Sequence, residues 1–187
     1  MKIIVVGHTG FIGQHIFRYL KTYKDNQVIG LSTNEINLFN ESDNYKFINL
    51  LSTECIVIMC AGVKKQLGDT FESFEKNIII INNFVKAISA VSPKKIIYFS
   101  SAAVYGEDTN FTEKISEKTS AQPKSYYGIA KYTSELILKK ICANIQTHLL
   151  ILRPPLIYGN GDLSYSYGPT SFIYKIINIE ELILWGD

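Results

Sequence analysis

The chain has 187 residues, 47% of them hydrophobic, and a net charge of +2 at neutral pH. This length and composition are typical of an ordinary globular protein with one sizeable core. The basic residues are scattered or occur in isolated pairs, so the charge pattern predicts no binding to nucleic acid or membrane surfaces, and every long apolar run is shorter than a membrane helix requires.

Short apolar runs alternate with helical patterns along the chain, which predicts an α/β fold with a parallel sheet covered by helices on both faces. The predicted strands are residues 2–6, 27–31, 36–38, 55–60, 95–100 and 148–152. The predicted helices are residues 11–23, 42–51 and 71–90, and a helix that carries Tyr127 and Lys131 as far as about residue 142. The polar segment between residues 106 and 125 is expected to be an exposed, mobile loop.

The three cysteines, Cys55, Cys60 and Cys142, all lie in apolar runs. Their odd number and the absence of metal-ligand spacing predict core packing in a reducing cytosol, without a disulfide framework or a metal site. The apolar run at the N-terminus breaks at Gly7 and is too short for a signal-peptide core. We therefore expect a cytoplasmic protein.

A glycine-rich turn, Gly7-His-Thr-Gly10-Phe-Ile-Gly13, joins the first strand to the first helix. Glycines permit a tight turn and let the backbone approach a pyrophosphate closely. Free N–H groups and the helix dipole favour negative charge at a helix N-terminus. The turn therefore predicts a nucleotide-binding site, in which His8 either faces the phosphates or is an incidental loop residue.

Tyr127 and Lys131 are four residues apart in a predicted helix and therefore lie on one face. An ammonium at this distance favours the phenolate form of the tyrosine. This predicts that Tyr127 can move a proton on and off the oxygen of a sugar or alcohol. Tyr126 is the competing candidate, but the residue four positions after it is Ala130, so Tyr127 is favoured.

Five motifs occur in order, and together they resemble the extended short-chain dehydrogenases, specifically the NAD(P)-dependent nucleotide-sugar epimerase/dehydratase family. The resemblance spans the whole chain. The motifs are the glycine turn, Asn77, the segment 99–106 (Phe-Ser-Ser-Ala-Ala-Val-Tyr-Gly), Tyr127-x-x-x-Lys131, and the segment 153–159 (Arg-Pro-Pro-Leu-Ile-Tyr-Gly).

The resemblance implies a doubly wound, Rossmann-type domain over residues 1–160 and the start of an incomplete substrate lobe over residues 161–187. Ser101 would hydrogen-bond the substrate oxygen, Tyr127 would transfer the proton, and Lys131 would hold the nicotinamide ribose. The nicotinamide would accept a hydride from a sugar carbon, usually C4, giving a 4-keto intermediate. The implied cofactor contacts are Gly7, Thr9, Gly10, Phe11, Ile12, Gly13, Ser32, Asn37, Leu38, Cys60, Ala61, Gly62, Asn77, Tyr127, Lys131 and Pro154.

Departures from the family pattern narrow the expected reaction. Dehydratases of this family carry Asp-Glu after the catalytic Ser or Thr, where this chain has Ala102 and Ala103. The synthases that epimerise at C3 and C5 need a cysteine at Ala103 and a histidine where this chain has Tyr165. The remaining activities are 4-epimerisation of a nucleotide sugar, which the segment around Ser101 resembles most, and NAD(P)H-dependent reduction of a keto sugar.

The residues at the end of the second strand are expected to determine the choice between NAD and NADP. NAD-specific members of the family carry an Asp or Glu there that binds the adenosine ribose. This chain has Ser32-Thr33-Asn34 there, with neither an acid nor an arginine, so NADP stays possible beside the favoured NAD. The short link to Asn37 resembles the keto-sugar reductases, many of which use NADP. Asn37 would accept a hydrogen bond from the adenine amino group.

The last segment, residues 183–187, resembles a strand and turn partway through the family pattern, and family members normally continue for about a hundred more residues. A short, catalytically silent NAD(P)-binding or dimerising module is therefore an alternative to an enzyme. Family members commonly dimerise through the helices over residues 71–90 and 126–141, which implies a homodimer built on a four-helix bundle. The apolar residues Ile78, Ile81, Phe84, Val85 and Ile88 fit that bundle or core packing alone.

Overall fold

A computed structural model of the chain describes residues 1–106, 114–162 and 168–182. Within these ranges, five parallel strands form one sheet in the order β2-β1-β3-β4-β5. The strands are β1 (Lys2–Val6), β2 (Gln27–Leu31), β3 (Ile56–Met59), β4 (Lys95–Phe99) and β5 (His148–Leu152). The helices are α1 (Phe11–Lys21), α2 (Asn44–Leu50), α3 (Phe71–Ala90), α4 (Tyr126–Asn144) and α5 (Gly168–Ile177). The predicted α/β fold with a parallel sheet is confirmed.

The strand order reverses between β1 and β3, because the chain first moves outward to β2 and then crosses to the other side. In open parallel sheets, ligands bind outside the carboxyl ends of the strands at such a switch point. The glycine turn follows β1 at this edge, and Ser101 follows β4 at the same edge. The topology therefore brings the two predicted halves of the site to one edge of the sheet.

Two apolar clusters hold the helices on opposite faces of the sheet. The smaller cluster packs Ile3, Val5 and Ile58 against the inner face of α1. The larger cluster joins β1, β3 and β4 to α3 and α4, with Phe84 and Leu138 completely buried. Burial of side chains of this size is worth about 1.5–3 kcal/mol each, so this cluster fixes both long helices on the sheet.

The predicted third strand is wrong, because residues 36–38, which the structure describes, form a turn. Ile36 and Leu38 are buried, and their alternation with Asn37 imitates a half-buried strand. The hydrogen bonds show the difference, since Ile36 N–H donates to Ser32 O (2.9 Å) and Leu38 O accepts from Asn83 Nδ2 (2.9 Å). The two apolar side chains seal the core beneath a turn.

The other boundaries differ by one or two residues from the predictions. Helix α1 ends at Lys21, and α2 begins at Asn44 after a 3₁₀ turn over Glu41–Asp43. The apolar residues of α3 that fit either a dimer bundle or core packing all contact the core of this chain. Ile81, Phe84 and Ile88 are buried, while Ile78 and Val85 pack against the core. The dimer stays a prediction.

The chain divides into two compact units, Met1–Pro155 and Leu156–Asp187. The predicted boundary after residue 160 stays a prediction. Tyr165, the predicted final strand over residues 183–187, and residues 107–113 of the predicted mobile loop lie outside the described residues. In the ranges that the structure describes, no helix is both long and apolar enough to span a membrane.

Candidate active site

The glycine turn is held by contacts that side chains would break. Gly7 has φ of +85°, and a Cβ on it would lie 2.8 Å from Ala61 N. A Cβ on Gly13 would lie 2.1 Å from Gly7 O, well inside van der Waals contact. Gly10 N–H closes the turn onto Gly7 O (3.1 Å). The glycines therefore bring the turn close to both α1 and the segment after β3.

The N-terminus of α1 presents backbone amides beside this turn. The first helical hydrogen bond runs from Gln14 N–H to Gly10 O (2.9 Å), so the amides of residues 11–13 have no acceptor within the helix. Along this fully described helix, no side chain caps the N-terminus and the first turn carries no acid. Thr9 is exposed, whereas Phe11 and Ile12 are half-buried. Unpaired amides at the positive end of a helix dipole suit a pyrophosphate.

The end of β2 lies directly against the glycine turn. Gly7 N–H and His8 N–H both donate to Leu31 O, at 2.7 and 3.3 Å. Ser32 follows, and both its N–H (2.7 Å) and its hydroxyl (2.6 Å) donate to Glu35 Oε2. The position directly after β2, where an acid is expected, holds Ser32. The Glu35 carboxylate, three residues further on, folds back to this position, and the sequence pattern did not predict it.

Asn37 and Leu38 are predicted adenine contacts, and the structure places both in the turn that follows. Asn37 Oδ1 accepts from Phe39 N–H (3.0 Å), and Asn37 N–H donates to Asp43 Oδ2 (3.0 Å). Leu38 is buried. The amide oxygen of Asn37 keeps one further acceptor position for a ligand.

The end of β3 passes beneath the glycine turn and is fastened to α3. Cys60 N–H donates to Val6 O (2.9 Å). The buried Asn77 side chain accepts from Val63 N–H (2.9 Å) and donates to Val63 O (3.2 Å) and Ser73 O (3.0 Å). Asn77 therefore clamps the backbone that continues from Ala61 and Gly62, which explains its place among the motif residues.

Ser101 caps the 3₁₀ turn that follows β4, Ala102–Tyr105. Its Oγ accepts from Ala103 N–H (3.2 Å), while Ala102 N–H donates to Pro154 O (2.9 Å). Pro154 thus contributes its carbonyl oxygen to fixing the serine. The main chain of two neighbouring strand ends holds Ser101 in place.

Tyr127 is the second residue of α4, and its backbone is held by a hydrogen bond from outside the helix. Tyr127 N–H donates to Asp69 Oδ1 (2.9 Å), and Ser125 Oγ caps the helix by accepting from Gly128 N–H (3.0 Å). A Cβ on Gly128 would lie 2.7 Å from Ala103 O. This close approach brings the first turn of α4 against the turn that carries Ser101.

Lys131 lies one helical turn further on and is 7% exposed. Its Nζ donates to Phe99 O (2.8 Å) and lies 5.8 Å from the centre of the Tyr127 ring and 5.1 Å from that of Tyr98. A Cβ on Gly62 would lie 3.5 Å from the same Nζ. The ammonium therefore stands between β4, α4 and the segment after β3, at the edge where the glycine turn lies.

Burial keeps two ionisable groups beside Lys131, Cys60 and Tyr98, neutral. Burial raises the pKa of Cys60 to about 12, although the Lys131 ammonium opposes the shift. Burial also raises the pKa of Tyr98 well above its usual range, while a hydrogen bond with Ser134 acts in the opposite direction. Neither group competes with Tyr127 as an acid or base near neutral pH.

A buried ionic network below Ser101 was not predicted. Glu135 is completely buried and accepts hydrogen bonds from Ser100 Oγ (2.6 Å), Arg153 Nε (2.9 Å) and an Arg153 terminal nitrogen (2.6 Å). Arg153 also donates to the Tyr105 hydroxyl (2.9 Å). The hydrogen bonds to Glu135 raise the pKa of Arg153 further above its usual range. The sequence carries one sign that Glu135 faces the site. It is four residues after Lys131, so both side chains lie on one face of α4.

The structure thus brings the predicted residues together along one edge of the sheet, the glycine turn at β1 and the Ser101, Tyr127 and Lys131 group at β4. A cavity of about 10 Å³ lies behind Lys131, lined by Asn77, Tyr98 and Ser134 among others. This volume holds at most one water molecule. This cavity is therefore too small for the large groups of a cofactor.

Comparison with known proteins gives one family. A sequence model of the NAD dependent epimerase/dehydratase family matches residues 3–187. An uncharacterized UDP-glucose epimerase of Bacillus subtilis is 29% identical, over 85% of this chain and 57% of that protein. The UDP-glucose 4-epimerase of Mycoplasma genitalium is 27% identical, over 81% of this chain and 51% of that protein. The chain spans about half the length of these curated relatives.

Solved structures agree with this relationship. A UDP-N-acetylglucosamine 4-epimerase from Methanobrevibacter ruminantium, in complex with UDP-N-acetylmuramic acid, is 26% identical with a TM-score of 0.82, and the match covers 100% of this chain and 66% of that one. Other structures with this fold, at 20–22% identity, are complexes with NAD or NADPH. The shared fold extends over every element described above.

Proposed function

This chain belongs to the NAD dependent epimerase/dehydratase family. On that basis we propose that it acts as a nucleotide-sugar 4-epimerase, or as the cofactor-binding part of one, and that its cofactor is NAD. The observation that carries the proposal is the position of Lys131, whose ammonium reaches Phe99 O at 2.8 Å and the Tyr127 ring at 5.8 Å. One cation thus joins the tyrosine to the strand end that carries Ser101, on the edge that holds the glycine turn.

The glycine turn fits a dinucleotide. Side chains at Gly7 or Gly13 would collide with backbone atoms, and the amides at the start of α1 lack helical acceptors. The pyrophosphate would lie against these amides, and Lys131 would hold the nicotinamide ribose. When bound, the nicotinamide supplies a reversible hydride acceptor.

The chain's own residues handle the proton. The phenolic oxygen of Tyr127 takes the proton from the sugar hydroxyl, while a bound nicotinamide would accept the hydride from C4, and a 4-keto sugar results. Ser101 hydrogen-bonds the same oxygen. After the keto sugar presents its other face, the hydride returns to C4, and Tyr127 gives the proton back to O4.

The residues beside Ser101 support this reaction over dehydration. Elimination of water needs an additional acid and base, and Ala102 and Ala103 supply neither. The UDP-sugar epimerases among the relatives agree with a nucleotide-sugar substrate. The chain spans about half the length of these curated relatives. The epimerase activity is therefore proposed for this chain by analogy with longer proteins.

The test is to titrate the 187-residue chain with NADH and NADPH and then to offer UDP-glucose and UDP-galactose while following the sugars by NMR. Interconversion of the two sugars supports the epimerase. Oxidation of the reduced cofactor by a 4-keto sugar would assign the reductase instead. Cofactor binding without turnover would support the silent module, and absence of binding to either cofactor would contradict both proposals.

A further inference from the structure

We propose that Glu35, from the turn after β2, is the carboxylate that makes this chain select NAD over NADP. The proposal rests on the proposed function, since it requires a dinucleotide on the glycine turn. It adds a specificity residue at a position where the chain carries no acid directly after the strand.

The position of Glu35 is fixed by the end of β2. Leu31 O accepts from Gly7 N–H (2.7 Å), so the strand end and the phosphate-binding turn are in direct contact. In this fold, the ribose of the adenosine half lies beside that strand end, and an acid there binds its 2′-hydroxyl. Ser32 occupies the first position after β2, and Glu35 Oε2 lies 2.7 Å from its amide nitrogen.

The Glu35 side chain is anchored but not saturated. Oε2 accepts from Ser32 N–H and from Ser32 Oγ at 2.6 Å, and Ser32 Oγ in turn accepts from Asn34 N–H (3.2 Å). Beside Ser32, only the backbone N–H of Glu35 itself hydrogen-bonds this exposed carboxylate among the described residues, which leaves acceptor positions on its oxygens. Oε1 can therefore accept a bond from a ribose hydroxyl. The Ser32 hydroxyl already donates its hydrogen to Glu35, so Glu35 is the better acceptor for the ribose.

Charge sets the direction of the preference. The hydrogen bonds from Ser32 hold the pKa of Glu35 below its ordinary value, with a smaller contribution from nearby His8. Glu35 is therefore an anion at neutral pH. A 2′-phosphate would bring close to two further negative charges beside it, and Ser32, Thr33 and Asn34 provide no cation to balance them.

A turn-stabilising role for Glu35 has a different consequence. If the carboxylate only braces residues 32–35, its loss disturbs the adenosine site for both cofactors alike. If the carboxylate binds the 2′-hydroxyl of the ribose, its loss weakens the binding of NADH and strengthens the binding of NADPH. Glu35→Gln separates these cases because the amide oxygen can still accept from Ser32 while the charge is lost.

The experiment is calorimetric titration of the 187-residue chain and of its Glu35→Gln variant with NADH and with NADPH. Glu54→Gln is the matched control, because Glu54 is an exposed carboxylate, paired with Lys94 (3.3 Å), before the first residue of β3 at the opposite edge of the sheet. We expect the wild type to prefer NADH by at least about tenfold and Glu35→Gln to reduce that ratio by about tenfold, the size of one charged hydrogen bond. Glu54→Gln should keep the wild-type ratio.

A Glu35→Gln ratio within about twofold of the wild-type ratio would overturn the proposal, as would tighter binding of NADPH by the wild type; both results leave the proposed function standing. If Glu35→Gln weakens the binding of NADH and NADPH equally, Glu35 only stabilises the turn, and this result would also overturn the proposal. Failure of the wild type to bind either cofactor would overturn the proposed function and this inference together. Circular dichroism of each variant verifies that the fold is retained.

Discussion

Lys131 donates a hydrogen bond from its ammonium to the backbone carbonyl of Phe99, 2.8 Å away. Phe99 ends β4 and stands two residues before Ser101, so the bond joins the helix of the tyrosine to the strand of the serine. A single buried cation therefore joins the two elements that carry the groups proposed to act on one substrate oxygen.

Lys131→Met should weaken cofactor binding as well as turnover, because the variant keeps the apolar stem but removes the ammonium. We expect the affinity for NADH to fall by at least about tenfold, the usual value of a charged hydrogen bond. Calorimetric titration measures this. Lys140→Met, at an exposed lysine of the same helix, is the control, and equal effects of the two substitutions would contradict the role assigned to Lys131.

Tyr127→Phe should abolish epimerisation and leave cofactor affinity within about twofold of wild type, because only the phenolic oxygen is lost. General acid–base groups contribute about 10²–10⁴-fold to rate. NMR of the UDP-sugars and NADH titration measure the two quantities. Tyr126→Phe, at the neighbouring exposed tyrosine, should retain activity. Loss of cofactor binding in Tyr127→Phe would show that the tyrosine is a binding residue instead.

Glu135→Gln should lower the free energy of unfolding by about 3 kcal/mol, because it leaves the Arg153 guanidinium without its buried counter-charge. Urea denaturation measures this. Glu41→Gln breaks an exposed pair with Lys86 (2.7 Å), and exposed pairs contribute about 0–1 kcal/mol. Similar losses in both variants would mean that the buried network contributes no more than a surface ion pair.

Alanine substitutions at Gly13 and Gly10 in the glycine turn should destabilise the protein to different extents. Alanine is favoured over glycine inside a helix by about 1 kcal/mol, but a Cβ on Gly13 would lie 2.1 Å from Gly7 O. Overpacking costs about 1–3 kcal/mol or more, so Gly13→Ala should destabilise the protein. Gly10→Ala meets the same oxygen only at 3.3 Å and should therefore destabilise the protein less. Urea denaturation decides, and equal stability of the two variants would contradict this packing.

Stability should fall in alkali partly because of Cys60. Its pKa is about 12 in the folded chain, whereas an unfolded thiol ionises near pH 9. The folded state therefore holds the proton more tightly, and this contribution is complete below about pH 8.5 and is lost as the pH rises towards 12, by at most about 1.4 kcal/mol per pH unit. Cys60→Ala should show a shallower decline between pH 9 and pH 10.5 in urea denaturation. Parallel curves would contradict the raised pKa.

The sequence predicted the strands well where apolar runs are continuous and buried on both faces, as in β1 and β3. It failed at Ile36 and Leu38, because alternation of buried and exposed residues does not distinguish a strand from a turn that covers the core. Only the hydrogen bonds of the folded backbone make that distinction.

The site was predictable to the extent that its residues lie close together in the sequence. The glycine turn and the Tyr127–Lys131 pair have local spacings that reflect helix geometry. Glu135 and Arg153 were missed because their partners come from different elements, 18 residues apart. Glu35 was missed because the expected acid was sought at the strand end, whereas the turn folds it back by three residues.

The backbone bonds around Ser101 have an evolutionary consequence. Ala102 N–H bonds Pro154 O, and Ala103 N–H bonds Ser101 Oγ. These bonds involve no side-chain atom of residue 102, which is only half-buried. Selection can therefore exchange the residue at 102 without moving the serine. A side chain for a different reaction can therefore be introduced at this position while Ser101 keeps its geometry.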